Sequence, residues 1–479
     1  MKKRTKILAT VGPASDSLEQ LEALIRAGVN VFRMNFSHGT HAYHEEVLKR
    51  IRQAMVNTGF IVGVLQDISG PKVRVGKLDE DFLLKSGDIL EFVTEEIVGK
   101  KLSDTHYQLS INQSEILPKM KAGEFIYLYD GNIRAKVESV GEKVLAVVQN
   151  SGKLSSNKGV NFPNTRIGID VLTPKDRKDM LWGIEHGVDF MAISFVQNAG
   201  DMENARTILR ENGGHQQLFA KIEKFDAVEN IDEILKASDG IMVARGDLGI
   251  EVPYYEVPAI QKRVIQKANE ASKPVITATQ MLLSMTESET ATRAEISDVA
   301  NAVLDGTDVV MLSEESAVGH NPVLAVETMV NTIREIERIY PYDKFGQFAM
   351  LDEMDLIDES AVLLASNLNA SAILAFTSSG QSAKKIARYR PSEPIFAVMH
   401  DERVARSLTI VWGVAPAFLV SKSNLETMLG DVVKNGLKSG VLDQQGCYIM
   451  TAGDPVGVPG TTNNIRILRS LEMNFFNDI

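Results

Sequence analysis

Two short stretches place charged side chains directly after apolar runs. Leu218-Phe219-Ala220 leads into Lys221-Ile222-Glu223, and Ile241-Met242-Val243-Ala244 leads into Arg245-Gly246-Asp247. Each apolar run is short and continuous, the pattern of a strand buried on both faces. Alternation along a strand points Lys221 and Glu223 the same way and Ile222 the other. As parallel neighbours, the two strands would bring Glu223 and Asp247 together at their C-terminal ends, with Lys221 beside them. Such a carboxylate pair invites a metal or a substrate. The ammonium would neutralise charge moving on the substrate. Gly246 and Gly249 allow a tight turn, with amide N–H groups expected to be free to face a ligand. An isolated Asp or Glu is more often a solvated loop residue; the strand-end position is what favours a site.

The rest of the first 340 residues supplies more strands of this kind. Thr5 to Val11 reads as a strand, followed by a helix with Leu18, Leu21, Leu24 and Ile25 at helical spacing. Val29 to Met34 is a second strand and delivers Arg33, Asn35, Ser37 and His38 at its end. A helix from about His41 to Val56 leads to strand Ile61 to Gln66 and then Asp67. Between Lys72 and about Gly168 the texture becomes alternating, as in Phe125-Ile126-Tyr127-Leu128-Tyr129, with turns at Asp130-Gly131 and Gly141-Glu142-Lys143. An inserted all-β domain is expected there. Helix–strand alternation resumes at Thr173, with strands at Asp189 to Phe195, Phe219 to Ile222, Ile241 to Ala244, Val275 to Ala278 and Val309 to Leu312. Ala27-Gly28-Val29, His186-Gly187-Val188 and Asp305-Gly306-Thr307 each read as a glycine helix stop before a strand. Eight such units favour a closed (β/α)₈ TIM barrel, whose active site lies at the C-terminal strand ends. Arg33, Asp67, Lys221, Glu223, Asp247, Thr279, Ser313 and Glu315 all fall there.

Tyr340 to Asp343 reads as a linker. Beyond it, strands at Ala372 to Phe376, Ile395 to Met399, Cys447 to Thr451 and Ile465 to Arg469 alternate with helices, predicting a C-terminal α/β domain. The expected division is 1–71 and 169–341 for the barrel, 72–168 for the inserted β lid and 342–479 for the C-terminal unit. After Ile373 to Phe376 comes Thr377-Ser378-Ser379-Gly380-Gln381-Ser382. Hydroxyls ahead of a helix start form a phosphate cradle or an ordinary capped turn.

The formal net charge of -12 argues against nucleic acid or an anionic membrane as a partner. The single cysteine, Cys447, permits no intrachain disulfide, fits a reducing cytoplasm and reads as a buried, inert thiol in a strand. Met1-Lys2-Lys3-Arg4 before Ile7-Leu8-Ala9 imitates a signal peptide, but Gly12-Pro13 ends the apolar run too early. His38, His41 and His44 step by three at a helix start, which supplies no fixed fourth ligand for zinc.

Five long motifs resemble the pyruvate kinase family, in family order and nearly end to end. They are Arg33-Met34-Asn35-Phe36-Ser37-His38-Gly39, Lys221-Ile222-Glu223, Met242 to Gly249, Thr277-Ala278-Thr279-Gln280-Met281-Leu282 and Asn301 to Ser313. Only the tail after about Arg469 lies outside the resemblance. It implies transfer of phosphate from phosphoenolpyruvate to ADP, giving pyruvate and ATP, with Mg²⁺ or Mn²⁺ on Glu223 and Asp247. Lys221 and Arg33 would meet the phosphoryl group. Gly246, Asp247 and Thr279 would hold the substrate carboxylate, and Thr279, Ser313 and Glu315 would lie near the proton path to the enolate. Asn35, His38, Arg74 and Lys175 would serve the nucleotide, under a lid closing on hinges at Pro71 and Phe162-Pro163.

Many relatives add K⁺ at positions matching Asn35, Ser37, Asp67 and the Ile68 carbonyl, and carry Glu where this chain has Lys72. A fixed ammonium there implies turnover without K⁺. The resemblance also implies a homotetramer and a phosphorylated effector at Thr377, Ser378, Ser379, Gly380 and Ser382. Ser378 and Gln381 replace basic residues of some bisphosphate-activated relatives, and the loop Ala452 to Asn464 holds no Lys or Arg, which favours a monophosphate. The competing readings are a Mg²⁺-dependent barrel lyase of pyruvate or phosphoenolpyruvate and a non-catalytic metabolite sensor. The lyase would not need Arg33, Arg74 or a nucleotide lid. The sensor predicts damage at Lys221, Glu223, Asp247 or Thr279, and all four are intact.

Overall fold

In the computed structural model, which describes residues 3–350, 352–456 and 460–478, eight parallel strands close into a barrel. They are β1 (Lys6–Thr10), β2 (Val31–Asn35), β3 (Gly63–Ile68), β4 (Phe190–Ile193), β5 (Gln217–Ile222), β6 (Gly240–Ala244), β7 (Val275–Ala278) and β8 (Val309–Leu312). Each pairs with its neighbours in sequence, and β8 closes on β1 through Lys6 opposite Val309. The apolar runs that predicted these strands are buried on both faces, because helices cover the outside and side chains fill the inside. Near the floor the Phe190 and Phe219 rings meet edge to face, 5.8 Å apart. Gly240 makes room for them, since a Cβ there would lie 2.2 Å from the Phe219 ring. The helix-to-strand turns are built as expected. Gly28, Gly187 and Gly306 take φ values of 127°, 64° and 97°, which glycine adopts without a Cβ clash.

Five helices matter below: α1 (His41–Thr58), α2 (Pro174–His186), α3 (Arg245–Glu251), α4 (Arg293–Asp305) and α5 (Gln381–Arg388). Thr173 with Asp176 and Thr292 with Glu295 form capping boxes that fix where α2 and α4 begin.

The chain between β3 and α2 forms a seven-stranded sheet and a two-stranded one around their own apolar core. Strand pairing there is antiparallel except between Ile89–Val93 and His106–Ser110, with one isolated parallel bridge between Leu78 and Gly99, and Ser114–Lys119 is a 3₁₀ turn. The C-terminal sheet has five strands, in the order β11-β10-β9-β12-β13: β9 (Ala372–Phe376), β10 (Ile395–Met399), β11 (Val414–Leu419), β12 (Tyr448–Gly453) and β13 (Thr462–Leu468).

The structure corrects three expectations here. Strand β11 carries no clear alternation and contains Pro416; it is an edge strand, where a missing N–H is tolerated. Cys447 sits half-exposed just before β12 rather than buried inside a strand. Tyr340 to Asp343 is no bare linker, because Tyr340 and Tyr342 pack on Trp412, 5.9 and 6.2 Å between ring centres. Of the loop Ala452 to Asn464, residues 457–459 lie outside the described residues. Behind the barrel floor, buried Arg390 donates to Asp308 at 3.0 Å and to Asn269 at 2.7 Å, joining the C-terminal unit to the barrel.

Candidate active site

Strand ends bring charged residues together at one mouth of the barrel. Arg33, near the end of β2, donates from Nε to Asp67 Oδ2 at 2.7 Å and from a terminal nitrogen to Thr10 Oγ1 at 3.0 Å. Asp67, on β3, also faces the Lys221 ammonium at 3.2 Å. Lys221 Nζ contacts Glu223 Oε1 at 2.9 Å and donates to Ser194 Oγ at 2.8 Å. Glu223 Oε2 accepts the Phe195 N–H at 2.8 Å. The result is a chain of alternating charges, Arg33–Asp67–Lys221–Glu223. Its side chains are between 1% and 12% exposed, so each charge depends on its neighbours rather than on water.

The protonation equilibria follow from that packing. Burial favours the neutral form of Asp67, but Lys221 and Arg33 outweigh it and hold the carboxyl below its ordinary value. Burial likewise opposes the Lys221 cation, and Asp67 and Glu223 more than compensate, so the ammonium titrates above its usual range. Glu223 goes the other way. Burial raises it to about 7, with Lys221 opposing and Asp247 reinforcing the shift. A divalent cation beside Glu223 would hold it ionised.

Asp247 lies in the first turn of α3 and lines the cleft between the barrel and the inserted sheet, with Phe195, Lys224 and Glu251. Asp247 is near enough for its charge to act on Glu223, so the two carboxylates feel each other. Two carboxylates with an ammonium alongside fit Mg²⁺, which accepts few protein oxygens and keeps positions for water and substrate. The expected free N–H at Gly246 is not free: it donates to Thr279 Oγ1 at 2.8 Å.

Thr279 follows β7 with φ 69°, a left-handed conformation costly for a β-branched residue. Its hydroxyl donates to the Ala278 carbonyl at 2.7 Å, and its own carbonyl accepts from Arg245 at 2.6 Å. Arg245 also contacts Asp298 on α4 at 2.7 Å. Sequence reasoning had given Arg245 no role; here it clamps the strained turn. Glu315 is fully buried and accepts the Leu282 N–H at 3.0 Å and the Ser313 N–H at 2.7 Å. With both oxygens on backbone, it holds the loops after β7 and β8 together. Ser313 Oγ is buried there with no hydrogen-bond partner among the described residues.

The residues expected around a nucleotide are only partly assembled. Lys175, on α2, reaches the Phe36 carbonyl at 2.8 Å and Asp179 at 2.6 Å, and Asp179 also holds His41 at 2.7 Å. Phe36, His41, Lys175 and Asp179 line an open cavity of about 370 Å³. Asn35 accepts the Ser37 N–H at 3.1 Å, and Ser37 and His38 are exposed. His44 Nε2 donates to the His38 carbonyl, 2.9 Å away, so its ring is engaged as well. Arg74 stays within the inserted sheet, donating to the Asn157 carbonyl at 2.9 Å.

Lys72 is the clearest displacement. Its ammonium lies 3.8 Å from Asp130 of the inserted sheet, both side chains about half exposed, and it makes no ion pair with Asp67. The charges beside Asp67 are Arg33 and Lys221. The Ile68 carbonyl accepts the Ser194 hydroxyl at 2.6 Å. Ser194 and Thr10 were missed, although each stands at a strand end, where the rule used for Lys221 would have found them.

In the C-terminal sheet, Thr377, Ser378, Ser379 and Ser382 line a crevice with Gln381, Lys385 and His400. Gly380 takes φ 88° and donates its N–H to Thr377 Oγ1 at 2.9 Å, which starts α5.

A parallel (β/α)₈ barrel with charged residues converging at its C-terminal mouth defines a barrel enzyme. The descriptions "Pyruvate kinase, barrel domain" and "Pyruvate kinase, alpha/beta domain" match residues 2–326 and 355–468. The chain is 42% identical to a pyruvate kinase of Sporosarcina psychrophila over 97% of its own length and 80% of that protein's. It is 41% identical to one of Geobacillus stearothermophilus over 98% and 80%. A crystal structure of a pyruvate kinase from Cryptosporidium parvum superposes with a TM-score of 0.91 at 34% identity, covering 98% of this chain and 96% of that one. The chain belongs to the pyruvate kinase family and is a phosphotransferase.

Proposed function

We propose that the chain transfers the phosphoryl group of phosphoenolpyruvate to ADP, giving pyruvate and ATP, as a cytoplasmic glycolytic enzyme. The observation that carries this is the Arg33–Asp67–Lys221–Glu223 chain at the barrel mouth, with the Asp247 charge near enough to act on Lys221 and Glu223. Glu223 and Asp247 would hold Mg²⁺ or Mn²⁺, which would supply positive charge to the phosphoryl group. Lys221 neutralises the transferring phosphoryl group and the departing enolate oxygen, and Arg33 grips phosphate oxygens through its planar fork. Asp67 keeps both cations aimed at the mouth. Thr279, whose hydroxyl already bonds the Gly246 N–H, receives the substrate carboxylate and, through water, stands on the proton path to the enolate carbon. Ser313 contributes its unpartnered hydroxyl to that path, and Glu315 positions it.

Asn35, His38, Lys175 and, when the lid shuts, Arg74 meet the nucleotide. In this reading residues 72–168 are the lid, 1–71 and 169–341 the barrel, and 342–479 the regulatory unit, whose crevice takes a sugar or nucleotide monophosphate. The family implies a homotetramer. Among the described residues no helix is long and apolar enough to cross a membrane.

The reaction is tested by measuring pyruvate formation from phosphoenolpyruvate and ADP with Mg²⁺ in K⁺-free buffer. Strong turnover supports both the reaction and independence from K⁺. Recovery only on adding K⁺ keeps the kinase and removes the Lys72 argument. Silence under both conditions, from folded protein, returns the lyase or sensor reading. Lys72→Glu is expected to make turnover depend on K⁺; an unchanged K⁺ response assigns the lysine to its lid partner Asp130 alone.

A further inference from the structure

We infer that the buried Lys224–Glu251 ion pair is a positioning unit that sets the spacing of Glu223 and Asp247 and couples it to the seating of the lid. The inference rests on the reading of those two carboxylates as the Mg²⁺ ligands. Lys224 directly follows Glu223, and Glu251 lies one helical turn beyond Asp247 on α3. Lys224 Nζ meets Glu251 Oε2 at 2.9 Å, with side chains 3% and 4% exposed. One ion pair therefore ties the loop after β5 to the helix after β6, next to the residue each contributes to the metal.

The second Glu251 oxygen is engaged elsewhere. Oε1 accepts from Asn161 Nδ2 at 3.1 Å, and Asn161 belongs to the short strand Val160–Asn161 of the inserted sheet. The carboxylate thus faces the barrel with one oxygen and the lid with the other. The lid turn also lies near α3: a Cβ added at Gly131 would sit 3.6 Å from Ile250. Asp226 is buried nearby, and its carboxyl feels the charges of both Lys224 and Glu251. An apolar contact could fill this space. It would not fix a distance between two backbone segments as a hydrogen-bonded ion pair does, because dispersion is non-directional while a charge-assisted bond holds a short separation and an angle.

The test reads metal binding and lid order directly. Mn²⁺ affinity of the free enzyme is measured by electron paramagnetic resonance, and lid seating by hydrogen exchange of the 160–162 backbone. Lys224→Met and Glu251→Gln are expected to weaken Mn²⁺ at least fivefold and to speed lid exchange. Asn161→Ala is expected to speed exchange alone, and Lys224→Arg to stay within twofold of the parent in both. If the single variants fail to fold, Lys224→Met/Glu251→Met, which removes both charges at similar volume, is expected to show both defects. Folded variants with Mn²⁺ affinity and lid exchange within twofold of the parent overturn the inference. Glu223→Gln serves as the separate control: unchanged Mn²⁺ affinity in that variant sinks the metal reading itself, whatever Lys224 does.

Discussion

The barrel mouth and the C-terminal crevice both face anions in the proposed function, yet they are built from opposite materials. At the mouth, Arg33, Asp67, Lys221 and Glu223 are all ionisable, nearly excluded from water and mutually paired. In the crevice, Thr377, Ser378, Ser379 and Ser382 offer hydroxyls, and Lys385 is held by Asp352 at 2.5 Å and Asp355 at 3.4 Å. The difference is one of task. Charge that moves during a reaction is stabilised best by charges already fixed in place, which need no reorganisation. An effector that binds and leaves unchanged can be held by neutral hydrogen bonds, weak enough for release.

The sharpest way to break this comparison is to remove the central cation. Lys221→Met leaves Asp67 and Glu223 facing each other without the ammonium between them. Steady-state kinetics is expected to show kcat reduced by about 10³-fold, the scale of losing one preorganised electrostatic contact in a dry site. A loss under tenfold would mean that the alternating chain is structural rather than catalytic.

Glu315 tests whether support beneath the mouth matters as much as the charges in it. Glu315→Gln keeps the shape but turns one acceptor oxygen into a donor facing the Leu282 or Ser313 N–H. Expected outcomes are about 2 kcal/mol lower stability in urea melts and a tenfold or smaller fall in kcat. A fall as large as that of Lys221→Met would instead place Glu315 in the chemistry.

Buried charge near the mouth also has a pH signature. Burial raises Asp226 to about 6 from an ordinary value near 3.8, with Lys224 opposing and Glu251 reinforcing the shift. Between these values the folded chain holds a proton that the unfolded chain has lost. The Asp226 contribution to stability should therefore fall as pH rises from about 4 to 6, by on the order of 3 kcal/mol, and stay at the lower level above that. Asp226→Asn is expected to flatten this slope in chemical denaturation at several pH values; an unchanged slope would show that Asp226 does not carry it.

Most of the mouth was legible in the sequence because strand periodicity and strand ends are local signals. Lys221, Glu223, Asp247 and Arg33 could each be placed by counting along one apolar run. What escaped depends on contacts between distant segments. Arg245 looked like one more strand-end charge, yet its partners, Asp298 and the Thr279 carbonyl, lie more than thirty residues away. The left-handed φ of 58° at Phe195, which aims its N–H at Glu223, has no sequence mark because the residue is not glycine. Lys72 could be assigned an ammonium from sequence but not a direction, and it turned towards the lid. Strand β11 was lost because Pro416 breaks the pattern that makes a strand readable.

The smallest effect should come from the crevice, where no single group dominates. Ser382 Oγ shares a hydrogen bond with Thr462 Oγ1 at 2.7 Å, linking the start of α5 to β13. Ser382→Ala removes one neutral hydroxyl of several, worth about 1 kcal/mol, so calorimetry with a sugar monophosphate should show affinity reduced about fivefold. The same titration sharpens the comparison from the ligand's side. With Lys385 already between two carboxylates, a second phosphate meets little free positive charge, and a monophosphate should bind at least as tightly as fructose bisphosphate. Tighter binding of the bisphosphate, together with a Ser382→Ala loss well above tenfold, would mean that the crevice recruits charge on binding. The two sites would then differ in when their charges are assembled rather than in what they are made of.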